Sequence, residues 1–134
     1  MPSLPYRRLV VGALAVSLVP VGSAFAGGTV KVTMDEFSLK ASPKSISSGR
    51  VTFNSRNAGS DRHELIVIRT TRAASRLPVS GARASEKGRV GDSGTFAGGK
   101  SKKLTLSLKK GHYVLICNLP GHYAGGMRTD FTVK

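Results

Sequence analysis

The chain has 134 residues, of which 21 are lysine or arginine and seven are aspartate or glutamate, so its formal net charge at neutral pH is +14. This length excludes more than one domain of ordinary size, and the single cysteine excludes a framework of disulfide bonds within the chain. A basic balance of this size favours acidic partners or anionic surfaces.

The first 26 residues have the features of a secretory signal peptide. A basic start precedes an apolar run over residues 9–21, and residues 24–26 (Ala-Phe-Ala) match the pattern at which signal peptidase cleaves. A membrane anchor is the alternative, but the run falls short of the roughly 20 residues that cross a bilayer. We therefore predict an exported protein, periplasmic or extracellular. Removal of residues 1–26 takes away two arginines and no acid, which leaves a single domain over residues 27–134 with net charge +12.

Beyond residue 26 the sequence is typical of short β-strands separated by turns. Residues 29–39 alternate, with Val30, Val32 and Met34 on one face, and we expect Met34 to fill the core. Residues 63–69 are nearly all apolar at their centre, as a buried strand would be. Further strands are predicted at residue 46 and over residues 50–54, 102–108, 112–117 and 128–133.

Residues 70–100 interrupt this pattern, because they are rich in serine, glycine, alanine and arginine. We predict a long connection between strands, with a short helix near residues 71–76, and we favour a solvated crossover over a functional loop. About seven short strands without a strong helix predict an all-β fold, a two-sheet β-sandwich.

The most informative segment is the loop Cys117-Asn-Leu-Pro-Gly-His122-Tyr-Ala-Gly-Gly-Met127. It carries a thiolate, an imidazole and a thioether, with four residues between each neighbouring pair. A soft thiolate with two imidazoles and a weak, distant thioether is the ligand set of a blue copper site. Zinc gains little from a methionine, and iron–sulfur clusters require more thiolates. The loop therefore predicts a copper site that needs one further histidine.

His63 is the favoured second histidine. It follows a turn and opens an apolar strand, so it would lie at one end of the sandwich. The alternative, His112, lies on the cysteine strand itself, at the opposite end and with its side chain on the other face.

With these residues assigned, the run Cys-Asn-Leu-Pro-Gly-His-Tyr-x-x-Gly-Met resembles the cupredoxins, the type 1 blue copper proteins of the plastocyanin and azurin superfamily. Its spacing is similar to that of the auracyanin, rusticyanin and sulfocyanin branch, and residues 57–65 resemble the region of the family's first histidine. The resemblance implies a Greek-key β-sandwich of about seven to eight short strands. It also implies one copper ion per chain, held strongly by His63, Cys117 and His122 and axially by Met127.

The resemblance further implies an apolar docking patch at the edge of His122, formed by Leu119, Pro120 and Tyr123. One position departs from the family. Many members follow the first histidine with Asn or Ser, whose hydrogen bonds hold the cysteine loop, and here that position is Glu64. We expect this carboxylate either to point outward or to alter the reduction potential and the rigidity of the loop.

These observations predict a carrier of single electrons between redox partner proteins, rather than an enzyme. We expect a monomer whose partners have acidic docking surfaces, together with electrostatic contact to anionic membrane or cell surfaces and no nucleic acid. One alternative is an exported copper-binding protein for storage, delivery or sensing, with the same ligands and exchangeable metal. Another is a metal-free sandwich that binds polyanions, which would leave the cysteine, histidine and methionine spacing unexplained.

Overall fold

The computed structural model describes residues 26–134, together with Met1 and Ala15, so the predicted signal peptide lies outside the described residues. No helix within residues 26–134 is long and apolar enough to cross a membrane. Residues 26–134 form short strands joined by turns, with one 3₁₀-helix (Ala74–Arg76) and one short α-helix, α1 (His122–Gly125). The strands are β1 (Gly27–Asp35), β2 (Ser38–Ser42), β3 (Ser45–Ile46), β4 (Gly49–Asn57), β5 (His63–Arg69), β6 (Val79–Ser80), β7 (Arg83–Ala84), β8 (Arg89–Phe96), β9 (Ser101–Leu108), β10 (Gly111–Ile116) and β11 (Arg128–Val133).

The strands form two main sheets. The four-stranded sheet has the order β2-β1-β4-β9, and the five-stranded sheet has the order β3-β11-β10-β5-β8. Neighbouring strands are antiparallel except for two parallel pairs, β1 with β4 and β3 with β11. The two remaining strands, β6 and β7, form a separate small hairpin. The predicted all-β sandwich is confirmed.

The core between the sheets consists of the inward-facing side chains of alternating strands. Val30, Val32 and Met34 of β1 are fully buried, as the alternation predicts. Phe53 of the first sheet and Phe131 of the second meet edge to face, with their ring centroids 5.5 Å apart. This contact joins the two sheets at the centre of the sandwich.

A second apolar cluster covers the outer face of the five-stranded sheet, so β5 and β10 are buried on both faces. The segment between β5 and β8 folds over this face and supplies three of the eight residues of the cluster. The expectation of a solvated crossover holds for most of this segment, but its three buried residues pack inward, because an apolar sheet face needs a covering layer. The cluster comprises Ile66, Ile68, Ala74, Leu77, Ala84, Val114, Ile116 and Tyr123.

Two strand predictions were wrong. The run over residues 29–39 is two strands, because the chain turns at Glu36 and Phe37 between β1 and β2. The predicted connection contains β8, which forms an edge of the five-stranded sheet. Most of β8 is only half-buried and its register against β5 shifts twice, so it lacks an alternating apolar face. The short helix predicted near residues 71–76 corresponds to the 3₁₀-helix.

Candidate metal centre

His63 and Cys117 meet at one end of the sandwich because β5 and β10 are antiparallel neighbours. Ile66 pairs with Ile116, so the start of β5 lies beside the end of β10. His63 is the first residue of β5, and Cys117 directly follows the last residue of β10. Both residues are fully buried. The topology thus brings together two residues that are 54 positions apart in the sequence.

Three donor atoms face a common centre. The Nδ1 atoms of His63 and His122 are 3.2 Å apart, and Cys117 Sγ lies 3.9 Å and 3.5 Å from them, respectively. Bonds of about 2.0 Å to nitrogen and about 2.3 Å to sulfur, spread evenly in a plane, place two nitrogens about 3.5 Å apart and nitrogen and sulfur about 3.7 Å apart. The observed separations are close to these values, and the donor types suit copper. The residues present therefore fit a bound copper ion.

Met127 lies beside these donors at the end of the loop. It is fully buried. Its N–H donates to the carbonyl of His122, and its carbonyl accepts from the N–H of Cys117, both at 3.1 Å. The intervening Gly126 has a φ of 122°, which favours glycine and lets the chain turn sharply after α1. All four predicted residues are thus at the same end of the sandwich.

His112 is far from this centre along β10. Its Nδ1 lies 2.7 Å from the carbonyl oxygen of Thr70, and its Nε2 lies 2.9 Å from Asp130 Oδ1. Both ring nitrogens therefore have partners at the opposite end of the strand, where the sequence placed this residue.

Burial sets the protonation of the donor atoms in the copper-free protein. It raises the pKa of the Cys117 thiol and lowers the pKa of the His122 imidazole. At neutral pH the thiol is therefore protonated and His122 is neutral. Because copper binds a thiolate and a neutral imidazole, binding would displace a proton from the cysteine and none from His122.

Glu64 lies beside the cysteine loop and keeps part of its side chain open to solvent. Its backbone N–H donates to Cys117 Sγ at 3.4 Å, and its side chain is half-buried. Burial, followed by the charge of Glu86, raises the pKa of the Glu64 carboxyl, whereas a hydrogen bond from the backbone N–H of Asn118 opposes this shift. By the alternation of β5, Glu64 shares the outer face of the five-stranded sheet with Ile66 and Ile68, so its carboxylate points away from the core between the sheets and is only partly covered.

Two residues that the sequence reasoning missed, Glu36 and Phe37, contact the two histidines from the turn between β1 and β2. Glu36 Oε1 lies 3.0 Å from Nε2 of His63. The ring of Phe37 packs edge-on against His122 with centroids 5.2 Å apart, and 48% of the residue stays exposed. The one sequence signal for this turn is the end of the buried alternation after Met34.

Asn118 fastens the cysteine loop to the segment that covers the second sheet. It is only 1% exposed. Its Oδ1 accepts from the N–H of Ala84 at 2.8 Å, and its Nδ2 donates to the carbonyl of Ala84 at 3.0 Å and to Glu86 Oε1 at 2.9 Å. The N–H of Gly121 donates to the carbonyl of Ala82 at 2.8 Å. The basic stretch of residues 70–100 is therefore part of the scaffold that holds the site.

Tyr123 is part of the same support and not of a surface patch. It is only 3% exposed. Its hydroxyl donates to the carbonyl of Ala74 at 2.6 Å and accepts from the N–H of Leu77 at 3.0 Å. The expectation that Tyr123 lines the docking patch was therefore wrong, because its ring helps to cover the outer face of the five-stranded sheet.

We expect Tyr123→Phe to lower the free energy of unfolding of the copper-free protein by about 1–3 kcal/mol, since it leaves two buried backbone groups without their partner. Urea unfolding at equilibrium measures this change. Tyr113→Phe is the matched control, because its hydroxyl makes one bond, to the carbonyl of the exposed Lys109, which water can replace. Equal unfolding curves for Tyr123→Phe and the wild type would contradict the supporting role of Tyr123.

The chain is similar to known copper proteins in sequence pattern and in fold. A family model for copper binding proteins of the plastocyanin/azurin family matches residues 28–134. No curated protein sequence matches the chain. Dithionite-reduced auracyanin from Roseiflexus castenholzii is 19% identical, with a TM-score of 0.58 over 83% of this chain and 98% of that one.

Two further solved structures are similar. Auracyanin A, a "blue" copper protein from Chloroflexus aurantiacus, is 18% identical, with a TM-score of 0.58 over 81% of this chain and 99% of that one. Rusticyanin from Thiobacillus ferrooxidans is 23% identical, with a TM-score of 0.54 over 79% of this chain and 77% of that one. At these identities the structures show a shared fold.

Proposed function

Because the chain belongs to the plastocyanin/azurin family of copper-binding proteins, with one copper ion per chain, we propose that it carries single electrons between partner proteins. We assign His63, Cys117 and His122 as the strong ligands and Met127 as the weak axial ligand. The observation that carries this proposal is the convergence of three donor atoms, one sulfur and two imidazole nitrogens, within 4.8 Å of one another. This donor set is the one that blue copper sites use.

Copper bound in this way would supply the one-electron chemistry, by alternating between two oxidation states. The role of the protein is to keep the donor atoms in place. His63 and Cys117 are held by neighbouring hydrogen-bonded strands, and Met127 is bonded through its backbone to the other two loop ligands. Asn118 anchors the loop from outside. Little therefore needs to move when the charge of the site changes, which favours rapid transfer.

We place the docking surface for redox partners at the half-buried edge of His122. The exposed Phe37 packs against this histidine. Pro120, two residues before the histidine in the sequence, is also exposed, and Leu119 is half-buried. An apolar rim of this kind lets a partner approach closely and exclude water between the two redox centres.

The test is to load the full chain with one equivalent of Cu(II) and to record its visible spectrum and voltammogram. We expect an intense absorption from thiolate-to-copper charge transfer, a reversible one-electron wave, and retention of copper through repeated cycles. Loss of copper to a chelator at each reduction would instead support storage or delivery. Absence of the intense band would contradict the proposed site itself.

Export completes the proposal, and the signal-peptide pattern over residues 1–26 supports it. N-terminal sequencing of the exported protein is expected to begin at Gly27. A protein retained in the cytoplasm with an intact N-terminus would contradict export without bearing on the copper site.

Charge is distributed unevenly along the sandwich. Five of the seven acids lie around the copper site or the loops that hold it: Asp35, Glu36, Asp61, Glu64 and Glu86. There they partly offset basic residues of the same end, such as Arg56, Arg62, Arg83 and Lys100. The opposite end carries exposed basic residues at its strand ends and turns: Lys44, Arg50, Arg69, Arg72, Lys87, Lys109, Lys110 and Lys134. This arrangement supports attachment of the basic end to anionic membrane surfaces, which leaves the copper end free for redox partners.

We expect the triple variant Lys109→Glu, Lys110→Glu and Lys134→Glu to bind anionic vesicles about 100-fold more weakly than the wild type at low salt. Each basic residue near an anionic surface contributes about 1 kcal/mol, and reversal of its charge removes at least that amount. Co-sedimentation with phosphatidylglycerol vesicles measures the loss, with phosphatidylcholine vesicles as the neutral reference.

The matched control reverses three exposed basic residues toward the copper end of the four-stranded sheet, in β4, in β9 and directly before β9: Arg56→Glu, Lys103→Glu and Lys100→Glu. It changes the net charge equally, so most binding should remain. An equal loss in both triple variants would show that net charge alone matters and would refute the oriented attachment.

A further inference from the structure

Glu36 holds the buried His63 on the side away from the candidate copper site. The carboxylate atom Oε1 lies 3.0 Å from Nε2 of His63. The histidine side chain is fully buried, whereas 26% of the Glu36 side chain is exposed. The other ring nitrogen of His63, Nδ1, faces Cys117 and His122. One imidazole thus has a carboxylate on one side and the proposed copper ligands on the other.

The carboxylate of Glu36 is itself fixed. Its Oε1 also accepts from the N–H of Asp61 at 2.8 Å, and its Oε2 accepts from the N–H of Ser60 at 3.1 Å. Residue 59 is a glycine, and a Cβ at that position would collide with this carboxylate. These contacts tie the turn between β1 and β2 to the loop that leads into His63. The fold itself therefore fixes the contact between Glu36 and His63.

We propose that Glu36 is a positioning residue that holds His63 in the tautomer needed to bind copper and favours the oxidised form of the centre. The inference rests on the proposed function, since it assigns His63 as a copper ligand. Glu36 lies outside both the Cys117–Met127 loop and the strand of His63, and the sequence motif does not contain it.

The tautomer follows from the chemistry of the two partners. An ionised carboxylate only accepts hydrogen bonds, so in this contact Nε2 of His63 carries the proton. In the neutral ring, Nδ1 then has a free lone pair that points toward Cys117 Sγ and His122 Nδ1. Without the carboxylate the proton could move to Nδ1, where it would occupy the position that a metal needs.

The effect on the reduction potential follows from charge. The oxidised centre carries one more positive charge than the reduced centre. A carboxylate bonded to a ligand makes that ligand a stronger donor and places negative charge nearby, so it stabilises the oxidised form more. Glu36 therefore lowers the reduction potential.

We expect Glu36→Gln, which keeps the side-chain length and removes the charge, to reduce the preference for Cu(II) over Cu(I) about tenfold. Voltammetry would show this change as a rise in potential of about 59 mV. Asp61→Asn is the matched control, because it removes the same charge from the copper end while the backbone N–H of Asp61 still reaches Glu36. Equal shifts in the two variants would overturn the specific role of Glu36 in favour of a general field.

A second measurement needs no copper. Imidazole ¹⁵N spectra of the copper-free wild type should show His63 protonated at Nε2, and Glu36→Ala should convert part of the population to the Nδ1 tautomer. An unchanged Nε2 tautomer in Glu36→Ala would overturn the positioning role. Because the tautomer is measured without metal, a wild type with this signature but no blue band would refute the proposed function and still support the contact with His63.

Discussion

A Cys117→Ser variant is expected to lose the intense blue absorption of the copper-loaded protein completely. The band requires charge transfer from a thiolate sulfur to copper, and a serine hydroxyl at this buried position remains protonated at neutral pH. Its hard oxygen is also a poor ligand for Cu(I), so the variant should show no reversible one-electron wave. Visible spectra of variant and wild type at equal copper occupancy provide the measurement.

Met127→Leu is the informative control for this result. As the proposed weak axial ligand, Met127 should influence the reduction potential, while the intense band depends on the sulfur of Cys117. This variant is therefore expected to keep the band and to shift the potential. A blue band that persists in Cys117→Ser, with the copper-free variant folded by circular dichroism, would show that the proposed ligand set is wrong.

The sequence predicted the strands whose burial is one-sided or complete. β1 alternates between the core and solvent, and β5 is an apolar run because it is covered on both faces. It did not predict β8, whose residues are mostly glycine, polar or charged and only half-buried. Pairing along β5, rather than an apolar face of its own, makes β8 a strand. Such a strand leaves no periodic signal in its own residues.

The residues of the candidate site also differ in whether the sequence alone can identify them. Three of its four proposed ligands lie on one loop of eleven residues, so their spacing is visible in the sequence. His63 could be added because it opens a strand at a turn. Glu36 could not, because its contact with His63 spans 27 positions and depends on the parallel pairing of β1 with β4. Contacts of this kind are fixed by strand register and leave no local pattern.

Tyr123 shows how a motif can identify a residue and misplace its side chain. Its neighbour His122 is half-buried beside the surface, and the loop pattern alone suggested that both lie at the docking edge. α1 turns Tyr123 inward, where its hydroxyl bonds the backbone around the 3₁₀-helix. That orientation requires a covering segment whose composition reads as a solvated loop, so it could be known only from the packed structure.

Asn118→Ala is expected to lower the free energy of unfolding of the copper-free protein by about 3 kcal/mol. The substitution removes three hydrogen bonds. It leaves both backbone groups of the buried Ala84 without partners, at about 1–3 kcal/mol for each buried group. The cysteine loop would also lose its link to Glu86. Urea unfolding measures the change in stability.

The same variant should release copper faster to a chelator, because a loop freed from Ala84 no longer holds Cys117 and His122 in the arrangement that binds metal. Asn54→Ala is the matched control. Asn54 is exposed on β4, so its truncation should change the free energy of unfolding by at most about 0.5 kcal/mol. If Asn118→Ala lost stability but kept the copper-release rate of the wild type, the hydrogen bonds of Asn118 would stabilise the fold without organising the site. The rigidity of the site would then have to come from β5 and β10 alone.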